Sequence, residues 1–214
     1  METLRKKLES PSLAYVFKKA LYLNTTSRCP SACRFCIKFS WSYKFHGYEL
    51  KLPKDPTVPE LLNAIPNDLR PFDEVVYCGY GESTYRLADL PALSEALRKR
   101  GARRIRLNTI GLGNLIQGRD IAQDLSKVVD AVCISLNTTD PVAYLDLVRP
   151  LPEYKNQALT SVQEFSRSCV KWIPDTTITT VDMPDIDAKS VETFAKSIGA
   201  KFRLRPFLDE YEDQ

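Results

Sequence analysis

The residues best suited to chemistry are three cysteines in the stretch "LNTTSRCPSACRFCIKF", which begins at Leu23. Cys29, Cys33 and Cys36 fall within eight residues. Thiolates are soft ligands that suit zinc, copper(I) and iron–sulfur clusters. A structural zinc site takes four ligands, whereas a four-iron cluster held by three cysteines leaves one iron open to a small molecule. The missing fourth ligand therefore favours a cluster with one open position.

Polar and glycine-rich sequence also follows three later runs that are typical of strands. The residues concerned are Gly79, Tyr80, Gly81 and Glu82 after the second run, Asn108, Thr109 and Gly111 after the third, and Ser135 and Asn137 after the fourth. Because parallel strands end at one shared face, these segments and the three cysteines are expected to meet there. Four such segments converging on one face favour a cofactor site.

Six short apolar or β-branched runs must position these residues, and we predict each to be a strand. The runs are "ALYLNTT" from Ala20, "EVVYCGYG" from Glu74, "RIRLNTIG" from Arg104, "AVCISLNT" from Ala131, "TTITTVD" from Thr176 and "KFRLRPF" from Lys201. Helical patterns lie between them: "LADLPALSEALRKRG" ends at Gly101, "NLIQGRDIAQDLSKVV" begins at Asn114, and "IDAKSVETFAKSIG" ends at Gly199. Six βα units are too few for a closed eight-unit barrel of about 250 residues, so a partial barrel or a doubly wound sheet is expected.

Length and composition predict one domain over residues 1–214, and the alternation of strand and helix patterns makes it α/β. We expect an extension over about 1–19, a core over about 20–207 and an acidic tail over 208–214. The chain is 43% hydrophobic, and 30 Lys and Arg face 27 Asp and Glu, which does not favour nucleic acid. The densest basic run, "LRKRGARRIR" from Leu97, is interpreted as a solvated helix end. We expect a cytoplasmic protein without a membrane span, in which thiols stay reduced.

The segment "CPSACRFC" resembles the C-x3-C-x2-C signature of the radical S-adenosylmethionine superfamily, including the aromatic Phe35 before the third cysteine. In that superfamily the three cysteines hold a [4Fe-4S] cluster, and S-adenosylmethionine chelates the fourth iron. The resemblance implies Cys29, Cys33 and Cys36 as metal ligands and Phe35 as a neighbour of the adenine. It also implies a partial (βα)6 TIM-like barrel.

The segment "CGYGEST", from Cys78, resembles the glycine-glycine-glutamate-proline motif of the same superfamily. The resemblance implies that the backbone and the glutamate bind the amino group of the cofactor; the residues that it assigns to cofactor binding are Gly79, Tyr80, Gly81 and Glu82. Ser83 replaces the usual proline, which would stiffen the turn. A buried ammonium needs a paired acceptor, which Glu82 could supply.

The segments "RLNTIGLGNLI" and "CISLNTTDPVAYLDLVRP" resemble the short TatD-associated radical S-adenosylmethionine proteins. A looser similarity extends to 7-carboxy-7-deazaguanine synthase and to the glycyl-radical-enzyme activases, and the superfamily resemblance runs from about Leu21 to Pro206. The further residues that it implies are Asn108, Ser135 and Asn137 for the carboxylate or ribose of the cofactor, Val181 for the adenine, and Arg149 for the substrate.

The resemblance to the superfamily implies one-electron cleavage of S-adenosylmethionine to a 5′-deoxyadenosyl radical. This radical would abstract hydrogen from a small molecule or a partner protein. The resemblance also implies an oxygen-sensitive enzyme with an external one-electron reductant of flavodoxin or ferredoxin type. A TatD-type hydrolase is the candidate protein partner. Pairing of an exposed sheet edge would allow a homodimer.

Several alternatives stay open. The three cysteines could bind zinc together with His46. They could also hold an electron-transfer cluster, although such a cluster would need a fourth nearby cysteine. Alternatively, the whole chain could be a metal-stabilised binding module that partners another enzyme. The remaining alternatives are Cys78, Cys133 and Cys169 as small buried residues, Glu82 as a helix N-terminal residue, Asn108 and Asn137 as turn or cap residues, and Arg149 as half of a surface ion pair. The aromatic segment Phe39 to Thr57 is either a small hairpin with its own cluster or a cover over the site.

Overall fold

The structure, a computed structural model, describes residues 11–208. The predicted acidic tail lies almost wholly outside this range, and so does half of the predicted N-terminal extension. Seven strands form one sheet: β1 Ala14–Phe17, β2 Ala20–Leu23, β5 Glu74–Tyr77, β6 Ile105–Thr109, β7 Ala131–Ser135, β8 Asp175–Asp182 and β9 Lys201–Pro206. Two further short strands, β3 Lys44–Phe45 and β4 Tyr48–Glu49, form a separate hairpin.

The strand order in the sheet is β1-β2-β5-β6-β7-β8-β9. β1 runs antiparallel to β2, and the six strands from β2 to β9 are parallel to one another. The six parallel strands are the six predicted from the sequence. In the described residues the sheet stays open, with β1 and β9 as its edges. The predicted α/β partial (βα)6 barrel is therefore confirmed.

Eight α-helices, and one 3-10 helix at Ser83–Arg86, surround the sheet within residues 11–208. The α-helices are α1 Ile37–Ser40, α2 Val58–Asn63, α3 Leu90–Lys99, α4 Gly113–Gln117, α5 Ala122–Ser126, α6 Pro141–Val148, α7 Ala158–Trp172 and α8 Ala188–Ser197. Local sequence sets several of their ends: Thr57 and Glu60 form a capping box at α2, and Asp140 caps α6 just before Pro141. None of the helices in this range is long and apolar enough to cross a membrane.

Alternation along the strands gives the sheet two different faces. The outer face packs against the helices and is apolar; it includes Val75, Tyr77, Ile105, Leu107, Val132, Ile134 and Ile178, all fully buried. The inner, concave face is polar and carries Arg106, Asn108, Cys133, Ser135, Arg203 and Arg205, as the strand registers and side-chain contacts indicate. The core therefore lies on one side of the sheet, and the other side is free to form a site.

Two local predictions need correction. The pattern predicted as one helix from Asn114 is two short helices, because Gly118 adopts a left-handed conformation with φ of +65° and ends α4. The strand Ala14–Phe17, which pairs with β2, lies inside the segment predicted as an N-terminal extension. The single-domain boundaries themselves stay a prediction.

Candidate functional site

The three cysteines lie on one loop that follows β2 at the carboxyl end of the sheet. Backbone hydrogen bonds fasten this loop to the C-terminal end of α6: Ala32 N–H donates to Arg149 O at 3.0 Å, and Arg34 N–H donates to Leu147 O at 2.8 Å. Arg149, at the end of α6, adopts a left-handed conformation with φ of +48°. The part of the loop around Cys33 is therefore fixed to the end of this helix.

All three thiols are free and close enough to influence one another electrostatically. Burial raises the pKa of the Cys29 thiol to about 11, and it raises the pKa of Cys36 as well. Burial also raises the pKa of Cys33, with the neighbouring Cys29 and Cys36 adding to the effect. At neutral pH the three groups are therefore thiols in the free protein, and metal loading must release their protons.

A buried lysine accompanies the cysteines and was not singled out by the sequence reasoning. Lys38 is only 6% exposed, and its ammonium lies 4.8 Å from the centre of the Phe39 ring. Its positive charge lowers the pKa of each of the three thiols. The Lys38 ammonium therefore stabilises negative charge on the thiolates of the cysteine loop.

A donor set of three thiols on one loop suits a four-iron cluster with one open iron. Within residues 11–208, no three His, Cys, Asp or Glu side chains are grouped to hold one metal ion. In a single-ion site every thiolate lies about 2.3 Å from the same metal, whereas in a cluster each thiolate binds a different iron. His46 stacks on Phe17, with 5.0 Å between ring centres, in the β3–β4 hairpin. The zinc alternative with His46 as fourth ligand therefore has no support.

The turn after β5 packs directly against the segment that leads into the cysteine loop. A Cβ atom at Gly79 would lie 2.0 Å from Asn24 Oδ1, and one at Gly81 would lie 2.3 Å from Thr26 O. Glu82 N–H also donates to Arg28 O at 2.8 Å. Both glycines are therefore needed for the close approach of two backbones, which places the turn beside Cys29. Within the described residues, no backbone N–H outside the helices and strands donates to the carbonyl of Gly79 or Gly81.

The carboxylate of Glu82 is buried and receives four hydrogen bonds from the protein. Oε1 accepts from Thr84 N–H at 3.1 Å and from Thr84 Oγ1 at 2.8 Å. Oε2 accepts from Thr109 Oγ1 at 3.0 Å and from Ile110 N–H at 2.8 Å. Burial raises the pKa of Glu82, while these hydrogen bonds lower it. Two carboxylate oxygens offer about four acceptor positions, so Glu82 has none left for an added ammonium group.

Asn137 joins the ends of two neighbouring strands in a similar way. Its Oδ1 accepts from Val181 N–H at 3.0 Å, and its Nδ2 donates to Ser135 Oγ at 3.2 Å. Asn108 lies deeper on the inner face, where its Oδ1 accepts from Arg106 and its side chain contacts the Cys78 thiol. The structure thus brings Asn108, Ser135, Asn137 and Val181 to the inner face and strand ends of one sheet region. Their contacts with a cofactor stay a prediction.

The remaining candidate residues, Phe35, Tyr80 and Arg149, differ in how close they lie to the cysteines and in their exposure. Phe35 is partly buried against the core, beside the cysteines, and Tyr80 Oη donates to Lys44 O at 2.6 Å. Arg149 Nη2 lies 3.8 Å from Asp146, and the side chain is half exposed. The surface ion pair that the sequence left open for Arg149 is therefore present.

The aromatic segment after the cysteines forms the β3–β4 hairpin. Phe45 packs on Tyr15 and Phe17 of β1, with ring centres 5.6 and 5.2 Å apart. Tyr43 meets the Tyr80 ring edge-on, with 5.9 Å between the centres. The segment is thus a hairpin with its own aromatic cluster, and it also contacts the turn after β5.

Four residues at or near the site were missed from the sequence. They are Asn24, Lys38, Arg203 and Arg205. The alternation in "KFRLRPF" was a usable signal for both arginines, because residues two apart in a strand share a face. Asn24 gave no such signal, since its two donated bonds reach Ser12 O and Leu50 O, which only the fold brings near.

The chain is thus an open α/β barrel of six parallel strands with three free cysteines on the loop after the first of them. The sequence model described as "Radical SAM superfamily" matches residues 23–198, so the chain belongs to the radical S-adenosylmethionine superfamily. No curated protein sequence matches this chain. The predicted closeness to the TatD-associated group stays a prediction.

Solved structures with the same fold share little sequence with this chain. TYW1 with a bound lysine-pyruvate adduct is 14% identical, with a TM-score of 0.64 over 97% of this chain and 74% of that one. Streptococcus suis SuiB bound to the precursor peptide SuiA is 14% identical, with a TM-score of 0.65 over 97% of this chain. The FeFe-hydrogenase maturase HydG from Carboxydothermus hydrogenoformans is 17% identical, with a TM-score of 0.60 over 88% of this chain. This chain spans 43% of SuiB and 44% of HydG.

Proposed function

We propose that the protein binds a [4Fe-4S] cluster through Cys29, Cys33 and Cys36 and uses it to cleave S-adenosylmethionine reductively. The observation that carries the proposal is a set of three free thiols on one loop that backbone hydrogen bonds fasten to the end of α6. The match of the superfamily to residues 23–198 supports the same chemistry. When bound and reduced, the cluster and S-adenosylmethionine supply a 5′-deoxyadenosyl radical that abstracts hydrogen from a substrate.

The chain's own residues bind and orient the cofactor in this proposal. The carbonyls of Gly79 and Gly81 are the acceptors for the cofactor's ammonium, because the carboxylate of Glu82 is already fully hydrogen-bonded. Glu82 then acts as a positioning residue that holds the turn. At the ends of β6, β7 and β8, Asn108, Ser135 and Asn137 contact the carboxylate or ribose of the cofactor, and Val181 contacts its adenine.

Lys38 and the hairpin complete the surroundings of the cysteine loop. The Lys38 ammonium compensates negative charge on the thiolates. Phe35 packs beside the adenine, and Tyr80, tied to the hairpin, limits water on that side. Excluding water protects a reactive radical from side reactions.

The proposal has consequences for partners and location. It requires a one-electron donor of flavodoxin or ferredoxin type, and a reduced cytoplasm suits thiolate-held iron that air would destroy. The edge strand β9 has no described partner on its outer side, which would allow a second copy to pair there in a homodimer. A TatD-type hydrolase stays a proposed partner, and the substrate is a small molecule or a protein.

Anaerobic reconstitution tests the proposal. The reconstituted protein should hold about four irons with matching sulfide and, with a chemical reductant, convert S-adenosylmethionine to 5′-deoxyadenosine. The Cys33→Ala variant should lose both the iron and the product. Cys169→Ala is the matched control, because Cys169 is buried in α7 away from the loop and should leave both unchanged. Product formation by Cys33→Ala at the wild-type rate would refute the assignment.

A further inference from the structure

The inner face of the sheet carries two arginines on its last strand. In the register of β8 and β9, Thr179 lies opposite Arg203, and Val181 lies opposite Arg205. Arg203 Nη2 lies 3.8 Å from Cys133 Sγ, and Arg205 Nη2 lies 3.3 Å from Ser135 Oγ. Both guanidinium groups therefore reach across β8 to side chains of β7.

These two cations have no counter-charge among residues 11–208. Neither forms an ion pair there, whereas Arg106 on the same face lies 2.6 Å from Glu74. Arg205 Nε is buried and has no hydrogen-bond partner in that part of the chain. Burial lowers the pKa of Arg205, and the charge of Arg203 lowers it further. Among the described residues Arg205 is therefore a partly buried cation without a counter-charge, and the exposed Arg203 adds a second positive charge near it, which favours an anionic ligand at this place.

The arginines lie within the same concavity as the candidate cofactor residues. The positive charge of Arg205 lowers the pKa of the Cys78 thiol, which directly follows β5. Three strands separate β5 from β9 in the sheet. The curvature of the sheet therefore brings Arg205 towards the turn at Gly79. Ser135, which contacts Arg205, also accepts a hydrogen bond from Asn137.

We propose that Arg203 and Arg205 bind an oxyanion, a carboxylate or a phosphate, on the substrate that receives the radical. The inference rests on the proposed function, since it assumes that the concave face is the substrate site. The planar guanidinium fork of an arginine matches carboxylate and phosphate oxygens, so both side chains suit charge-assisted contacts with an oxyanion. Arg203 lies two residues deeper along β9 and would contact the same anion or a second oxygen of the substrate.

The methionine carboxylate of S-adenosylmethionine is the competing source of such an anion. Two guanidinium groups offer more donors than one carboxylate accepts, which favours a separate anion on the substrate. The two sources differ in one measurable respect. Loss of the arginines weakens cofactor binding strongly only if the cofactor supplies the anion.

Binding of inorganic phosphate and of S-adenosylmethionine can be compared in the reconstituted protein. Calorimetric titration with inorganic phosphate should show binding to the wild type, weakened about tenfold or more in Arg203→Met/Arg205→Met, because charge-assisted hydrogen bonds are lost. Equilibrium dialysis should give similar affinities for S-adenosylmethionine in both proteins. Arg167→Met is the matched control, since Arg167 stacks on Phe194 in the helical layer and should leave phosphate binding unchanged. Arg205→Lys, which keeps the charge but loses the fork, should bind phosphate with intermediate affinity.

Three results would overturn the inference. They are absence of phosphate binding by the folded wild type, equal phosphate affinity in the double variant, and a parallel loss of affinity for phosphate and for S-adenosylmethionine. The last result would assign the arginines to the cofactor's carboxylate. Circular dichroism of each variant separates loss of the site from loss of the fold. Failure of the wild type to cleave S-adenosylmethionine would instead contradict the proposed function, while the phosphate titration still reports on the arginine site.

Discussion

Glu82 Oε2 accepts a hydrogen bond of 2.8 Å from the backbone N–H of Ile110, which fastens the turn after β5 to the end of β6. A motif residue expected to bind the cofactor directly is therefore also a tie between neighbouring strand ends. Asn137 and Val181 repeat this relationship between β7 and β8 at 3.0 Å. The mouth of the barrel is organised by side chains that hold adjacent strand ends together.

Glu82→Gln should destabilise the free protein, because an amide group cannot accept all four of the hydrogen bonds that the carboxylate receives. We expect a loss of about 1–3 kcal/mol in the free energy of unfolding at pH 7, measured by urea denaturation. Glu95→Gln is the control, since Glu95 lies on the surface of α3 and pairs only with Lys99. Unchanged stability together with lost binding of S-adenosylmethionine would contradict the positioning role and support direct contact with the ammonium.

Gly81→Ala should disrupt the packing of the turn against the segment before Cys29. The added Cβ would lie 2.3 Å from Thr26 O and 2.6 Å from Arg28 O, and neither backbone atom can move freely. We expect a marked loss of bound iron and of affinity for S-adenosylmethionine, measured by iron analysis and equilibrium dialysis. Gly118→Ala should cost about 1 kcal/mol of stability through its left-handed backbone, yet leave iron and cofactor binding intact. Equal behaviour of the two variants would argue against a special role for the turn.

Lys38→Met should lower the reduction potential of the bound cluster. Reduction adds negative charge, and loss of a buried cation beside the thiolates makes that step less favourable. We expect a shift of some tens of millivolts to more negative values, measured by a redox titration followed by electron paramagnetic resonance. Lys171→Met, at the exposed end of α7, should leave the potential unchanged. A potential that rises or stays constant in Lys38→Met would show that its charge does not act on the cluster.

The thiol of Cys29 in the metal-free protein should react slowly at neutral pH. Its pKa of about 11 lies above that of an ordinary thiol, so raising the pH increases the thiolate fraction over a wider range. Alkylation by iodoacetamide should accelerate about tenfold per pH unit between pH 7 and 10, whereas free cysteine levels off near its pKa of about 8.5. Peptide mass spectrometry gives the rate at Cys29. A plateau below pH 9 would contradict the burial of this thiol.

The sequence predicts the parallel strands of the sheet well, because each short β-branched run is separated from the next by helical patterns. It misses β1, since "AYVF" in Ala14–Phe17 is short and gains its strand structure from pairing with Ala20–Leu23. The break at Gly118 was visible as a glycine, but only the fold shows that its backbone is left-handed.

The site shows the same division between local and long-range information. The spacing of the cysteines and the glycines of the turn is local, so the motif predicts their neighbourhood. The saturation of Glu82 depends on Thr109 and Ile110, which come from another strand end, and no spacing rule reveals it. The burial of Lys38 and the lack of a hydrogen-bond partner for Arg205 Nε within residues 11–208 likewise appear only in the folded chain.

The most direct test of the central claim is electron paramagnetic resonance of the reduced, reconstituted protein with and without S-adenosylmethionine. If Cys29, Cys33 and Cys36 hold a cluster with one iron open to the cofactor, adding S-adenosylmethionine should change the g values of the cluster signal. Cys29→Ala, Cys33→Ala and Cys36→Ala should each lose the signal, whereas Cys169→Ala should retain both the signal and the change. A cluster signal that is identical with and without saturating S-adenosylmethionine would contradict the account.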